Sequence, residues 1–195
     1  MNLLAVDTSG NHLTVLILKG EKIFSSHLGD AMLKHSITLM PEIENLVSEA
    51  ELSLSDIDVF CAVVGPGSFT GIRIGVSTVK ALAYANGKKV LAVTSFETLA
   101  YNKPNGKVLA VIDAKHGHYY ACGFENSKVV LNPSYIDSET VQKLSNEFFV
   151  IFDDKADKLN GLINAVLNNQ DRITDDREAL IPLYVKKSQA EEERK

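Results

Sequence analysis

The sequence predicts an α/β fold in two related halves, each a mixed sheet with flanking helices. Between VFCAVV (59–64) and SFETLAY (95–101) strand, helix, strand and helix alternate, which implies a sheet that is at least partly parallel. The pattern restarts after the turn signal Asn105-Gly106. Two short apolar runs, LLAVDTS at the start and VLAVIDAK at 108–115, each end in aspartate plus small residues and lead into further strands. The expected division is a first lobe over 1–106 and a shortened second lobe over 107–195.

Taken in order, the first 28 residues read as strands: LLAVDTS, the β-branched HLTVLILKG and the alternating KIFSSHL, with Asn11 and Gly20 as turns. A helix is expected from about Asp30 to Ala50, because Leu39, Met40, Ile43, Leu46, Val47 and Ala50 recur at helical spacing. Pro41 lies inside it and predicts a kink rather than a stop. VFCAVV lacks alternation and reads as a fully buried strand. A helix over Gly71–Ala85, a strand VLAVT (90–94) and a short helix at 95–101 follow. In the second half VLAVID (108–113), YYACGFE (119–125) and KVVL (128–131) read as strands. A helix SETVQKL (138–144) with Ser138 as N-cap, a strand FFVIF (148–152) and a helix LNGLINAVL (159–167) complete it. The close, IPLYVKKSQAEEERK, is one short apolar segment and then a charged tail expected to be solvated.

Composition narrows the function classes. Twenty Lys and Arg stand against 25 Asp and Glu, a formal charge of −5 spread along the chain. A protein that grips nucleic acid alone would show a basic stripe. Cys61 and Cys122 sit in apolar strands and read as reduced core residues of a cytoplasmic protein. MNLLAVD meets an aspartate too soon for a signal peptide, and no apolar run approaches the ~20 residues of a membrane helix.

GPGSFTGIRIG (65–75) has four glycines between a strand and a helix, the usual place for a phosphate cradle. The spacing excludes the familiar cradles. Walker A needs four residues between its glycines and then Lys, whereas five residues lie between Gly65 and Gly71, with Ile72 and Arg73 following. GxGxxG fails because three residues separate Gly67 from Gly71. The glycines therefore read as sites of close approach. Gly71, Gly75, Thr78, Leu82 and Ala85 share one helical face and form a shallow seam, against the chain's own sheet or against a partner. Arg73 in the first turn is disfavoured by the helix dipole, so a carboxylate partner is expected, internal or across an interface.

The opening DTS, HSITLMPEIENL, the glycine loop, IDAKHGHYY and PLYVKKSQAE together resemble the bacterial TsaB (YeaZ) family over nearly the whole chain. That family is a glycoprotease-like branch of the actin-like ATPase superfamily, with an RNase H-like fold in two lobes. The resemblance implies a noncatalytic subunit that pairs with TsaD and, with TsaE, supports threonylcarbamoyl transfer to the adenosine next to the tRNA anticodon. It implies tRNA contact only through the complex. It leaves open whether ADP or ATP sits at the junction with TsaD, the chain itself having no cofactor. We place the partner interface on the helices 30–50 and 71–85, at His35, Leu39, Met40, Ile43, Gly71, Arg73, Gly75, Thr78 and Leu82, with a homodimer through the same helices when TsaD is absent. Gly75→Leu is accordingly expected to abolish pairing and leave the fold intact.

Asp7, Thr8, Ser9 and Asp113 fall where the superfamily keeps its two phosphate loops; they are either vestiges of those loops or caps of turns at strand ends. If functional, they make the chain an independent ATPase or kinase, the main alternative. In the catalytic relatives a His-x-x-x-His pair binds metal. The matching stretch here, VTSFETLA, keeps Glu97 but has Ser95 and Leu99 in the ligand positions, which argues against a metal centre and a metallopeptidase. His116 and His118 read as turn residues and His35 as a partly buried polar contact or an interface hydrogen bond. No chemistry is assigned to His12 or His27, and Tyr184 is expected to pack.

Overall fold

A computed structural model describes residues 1–31 and 33–186; Met32 and the charged tail from Lys187, with the SQAE of the closing motif, lie outside the described residues. Strands β1 (Asn2–Asp7), β2 (Leu13–Lys19) and β3 (Lys22–Leu28) form an antiparallel meander. Helix α1 (His35–Glu49) returns the chain so that β4 (Val59–Val63) pairs parallel to β1. Helix α2 (Phe69–Asn86) then delivers β5 (Lys89–Val93) parallel to β4, and α3 (Ser95–Ala100) follows.

The second half repeats this wiring. Strands β6 (Lys107–Asp113), β7 (His118–Glu125) and β8 (Lys128–Asp137) form another meander, α4 (Ser138–Leu144) crosses, and β9 (Phe149–Phe152) pairs parallel to β6. Helix α5 (Lys158–Asn168) comes next. The orders β3-β2-β1-β4-β5 and β8-β7-β6-β9 are the same arrangement, with the second sheet one strand short. This is the expected α/β architecture of two mixed sheets with flanking helices, with the second sheet reduced.

Three boundaries differ from expectation, each for a local reason. Helix α1 starts five residues later than Asp30: Asp30 has φ 48° and Ala31 N–H donates to Asn11 C=O at 2.8 Å, which is not helical geometry. Helix α2 starts earlier, at Phe69, because Ser68 accepts from Gly71 N–H and caps it. Strand β8 continues through Pro133 to Asp137, which is permitted on an edge strand, where a missing donor breaks no ladder. Asp137, not Ser138, then caps α4 by accepting from Thr140 N–H at 2.8 Å.

The packing is layered. One core cluster joins α1 and α2 to one face of the first sheet through Leu39, Ile43, Ile72, Val76 and Phe60. A second fills the space between the two sheets, with Phe96 and Leu99 of α3 and Leu162 and Val166 of α5 between them. Both cysteines are buried and unpaired. Beyond α5 the chain comes back to the first sheet. Thr174 bridges Val90 on the free edge of β5, Leu183 N–H donates to Val64 C=O at 2.7 Å, and Leu180 is buried in the first cluster.

Candidate functional site

The loops at the ends of β1 and β6 face each other across the gap between the sheets, and a cleft of about 470 Å³ lies there, lined by Ser9, Gly67, Asp113, Lys115, Tyr120 and Asp153 among others. The two aspartates of the internal echo form the same local structure. Ser9 N–H donates to Asp7 Oδ1 at 2.8 Å, and Lys115 N–H donates to Asp113 Oδ1 at 2.7 Å. Each carboxylate thus closes a turn two residues on.

Asp7 is spoken for on every side. Its Oδ1 also accepts from Ser9 Oγ–H at 2.7 Å, and His12 Nε2 lies 3.0 Å from Oδ2. Burial alone would push this carboxyl up, but the His12 charge and the His12 and Ser9 bonds outweigh it and hold Asp7 well below the usual carboxylate range. Asp113 differs: it is exposed, and the bonds from Lys115 hold it low. The sequence assigned no chemistry to His12; its five-residue separation from Asp7 across the β1–β2 turn was the available signal.

The glycine loop packs on this turn. A Cβ at Gly67 would lie 2.2 Å from Ser9 C=O, one at Gly71 2.1 Å from Thr8 C=O, and one at Gly75 2.3 Å from Thr8 Oγ1. Ser68 N–H donates to Ser9 C=O, and Thr8 Oγ1–H donates to Gly71 C=O, both at 2.7 Å. The seam of small residues is therefore an internal contact between α2 and the end of β1. This corrects the interface assignment of Gly71 and Gly75, and with it the expectation that Gly75→Leu spares the fold.

His35, Leu39 and Ile43 also leave the interface set, since all three are buried against the sheet. His35 Nε2 faces His12 C=O at 2.9 Å and, since a carbonyl oxygen only accepts, carries the proton; Nδ1, near Gly71, has no hydrogen-bond partner among the described residues. Met40, Thr78 and Leu82 are half-buried and Arg73 is exposed. The solvent faces of the same helices hold what the sequence reading missed. Ile37 on α1 is 69% exposed, Leu33 just before that helix is 94% exposed, and Phe69 and Tyr84 stand about half exposed on α2. The signal for them was the remainder of the helical wheel once the core positions were removed.

At the stretch aligned with a metal site, Ser95, Leu99 and Glu97 are all buried in α3. Glu97 accepts from Thr94 N–H at 2.7 Å, and Arg172 Nη1 donates to its Oε1 at 2.7 Å, so it anchors the returning C-terminal segment. Among the described residues no group of three His, Cys, Asp or Glu is placed to hold a metal ion. No helix among them is long and apolar enough to cross a membrane. His116 has φ 55° in the β6–β7 turn, and His118 stacks on Tyr135 at 4.8 Å. Tyr184 is 42% exposed; it packs its ring 5.2 Å from that of Phe69, as expected of a packing residue, and also accepts from Arg73 Nε–H at 2.9 Å. Arg73 lies in the second turn of α2, beyond most of the dipole's reach, and among the described residues it pairs with no carboxylate.

The family model described as "TsaD: tRNA N6-adenosine threonylcarbamoyltransferase" matches residues 29–164. The "tRNA threonylcarbamoyladenosine biosynthesis protein TsaB" of Bacillus subtilis (strain 168) is 33% identical over 122 residues, 62% of this chain and 53% of that protein. The protein of the same description from Escherichia coli (strain K12) is 28% identical over 165 residues, 77% of this chain and 71% of its own. The matched part thus spans from about half to seven-tenths of these relatives. "YeaZ from Pseudomonas aeruginosa" superposes with a TM-score of 0.73 at 24% identity, covering 94% of this chain and 99% of that one, a likeness in fold.

Proposed function

The chain belongs to the TsaD family, described as tRNA N6-adenosine threonylcarbamoyltransferase, and from that membership we propose that it is a noncatalytic, cytoplasmic subunit of threonylcarbamoyladenosine synthesis. It pairs with TsaD and, together with TsaE, supports threonylcarbamoyl transfer to the adenosine next to the tRNA anticodon. Relatives that carry the TsaB description support the pathway. The observation that carries the scaffold role is the outward side of α1 and α2, where Ile37 and Phe69 present large apolar side chains and Leu33 is exposed in the turn just before α1. Pairing covers that face, with TsaD in the complex and with a second copy when TsaD is absent.

The metal-ligand positions of the catalytic relatives hold Ser95 and Leu99 here, both buried, which supports the reading that the partner carries the chemistry. ADP or ATP, where used, sits at the junction of the two proteins. The chain's acidic balance leaves the main tRNA grip to the complex. Light scattering of the chain, the cognate TsaD and their equimolar mixture tests this. The expected result is a heterodimer that Ile37→Glu abolishes with an unchanged melting profile. A wild-type chain that ignores TsaD would refute the reading.

The cleft beside Asp113 and Lys115 favours a second reading, an independent ATPase or kinase. It predicts magnesium-dependent ATP binding by the isolated chain, and a calorimetric titration without heat would dispose of it.

A further inference from the structure

Helix α2 carries two cations and no acidic residue. Lys80 is neutralised by Glu178, 2.8 Å away, whereas Arg73 pairs with no carboxylate among the described residues. Its guanidinium is nonetheless held in one pose. The central carbon stands 3.8 Å from the centroid of the Phe69 ring and 5.9 Å from that of Tyr184, and Nε–H donates to the Tyr184 hydroxyl. The two rings are themselves 5.2 Å apart. With Nε engaged and one face covered, the Nη1–Nη2 fork is the part left for a ligand.

We propose that this fork is the docking point for a carboxylate side chain of the protein partner that covers α1 and α2, an inference that rests on the pairing proposed above. In water an exposed guanidinium is stable without a partner. Once a partner excludes water from the apolar surface around it, an uncompensated charge is strongly unfavourable, so the covering surface must bring an anion. A carboxylate fits the planar fork with two parallel hydrogen bonds, and the aromatic bracket sets the fork's orientation before contact. A nucleic-acid backbone is the less suitable occupant. It presents a series of phosphates, and α2 offers a single unneutralised cation beside Phe69 and Tyr184.

The test is calorimetric titration of the full chain with cognate TsaD. Arg73→Ala should weaken pairing about thirtyfold or more, Arg73→Lys should recover part of the loss, and Tyr184→Phe should cost a few-fold, all with wild-type melting profiles. Wild-type affinity in Arg73→Ala overturns the inference and leaves the pairing intact; a wild-type chain that does not bind TsaD removes both. Unchanged pairing with weakened tRNA binding by the assembled complex would assign Arg73 to RNA instead. A chain ending at Lys186 lacks Glu191, Glu192 and Glu193. If Arg73→Ala has no effect in that shortened chain, the carboxylate is the chain's own and the inference fails.

Discussion

Gly71→Ala distinguishes an internal seam from a surface one, because the two give opposite signs. In an exposed helix interior, alanine for glycine stabilises by about 1 kcal/mol. At Gly71 the new Cβ would sit 2.1 Å from the Thr8 carbonyl oxygen, more than ~1 Å inside the separation at which non-bonded heavy atoms attract. That oxygen is backbone at the end of β1, in the turn fixed by Ser9 on Asp7, so it cannot rotate away as a side chain would. Overpacking of this kind costs about 1–3 kcal/mol. Moving Thr8 away also stretches its hydroxyl bond to Gly71 C=O, worth about 1 kcal/mol more. Subtracting the helix gain leaves a net loss of about 1–3 kcal/mol, or some 2–12 °C in Tm for a chain of this length. Thermal and urea unfolding of the variant measure it, with Gly87→Ala (an exposed left-handed C-cap) as a control for backbone strain alone. A Gly71→Ala protein with raised stability would refute the close approach between α2 and the β1 turn.

Removing His12 as His12→Ala should cost about 3 kcal/mol at pH 7, because it leaves the Asp7 carboxylate buried without its main partner; denaturant midpoints report it. Asp7 has a folded-state pKa below its unfolded value, so its contribution is complete above about pH 4 and fades as pH falls further. The Tm gap between wild type and Asp7→Asn should therefore narrow below pH 4, and a gap constant to pH 2.5 would contradict the assignment. Arg172→Ala should lose about 1–2 kcal/mol, measured by thermal unfolding, since the pair with Glu97 is partly open to solvent. Burial pushes the Cys122 thiol up to about 12 and that of Cys61 higher still, so neither should react with a maleimide at pH 7.5 until urea is added.

Much of the fold was legible because apolar runs in a buried parallel sheet lack alternation, as VFCAVV does, and because α1 and α2 keep their core residues at helical spacing. The internal echo was legible for the same reason: both halves need a buried strand followed by a turn-forming aspartate. What misled the reading was local. The strand read as KVVL stops at Leu131, whereas β8 runs on through Pro133, which only its edge position makes tolerable. The small residues of α2 fitted an outer and an inner seam equally well, since spacing defines a face without saying which way it turns. Thr8, sixty-three residues earlier in the chain, settles it, and so long a contact leaves no local trace.

The return of residues 174–183 to the first sheet bears on the order in which the chain matures. Thr174 occupies the rim of β5, Leu180 fills the cluster under α2, and Leu183 bonds Val64 next to the glycine loop. Those residues leave the ribosome after the whole second sheet, at a synthesis rate of about 5–20 residues per second. The first sheet is made early but stays unfinished while the whole second sheet is synthesised, its β5 rim open to any passing strand. Because the piece that closes it follows the second sheet in the chain, the sheet that is begun first is the one completed last.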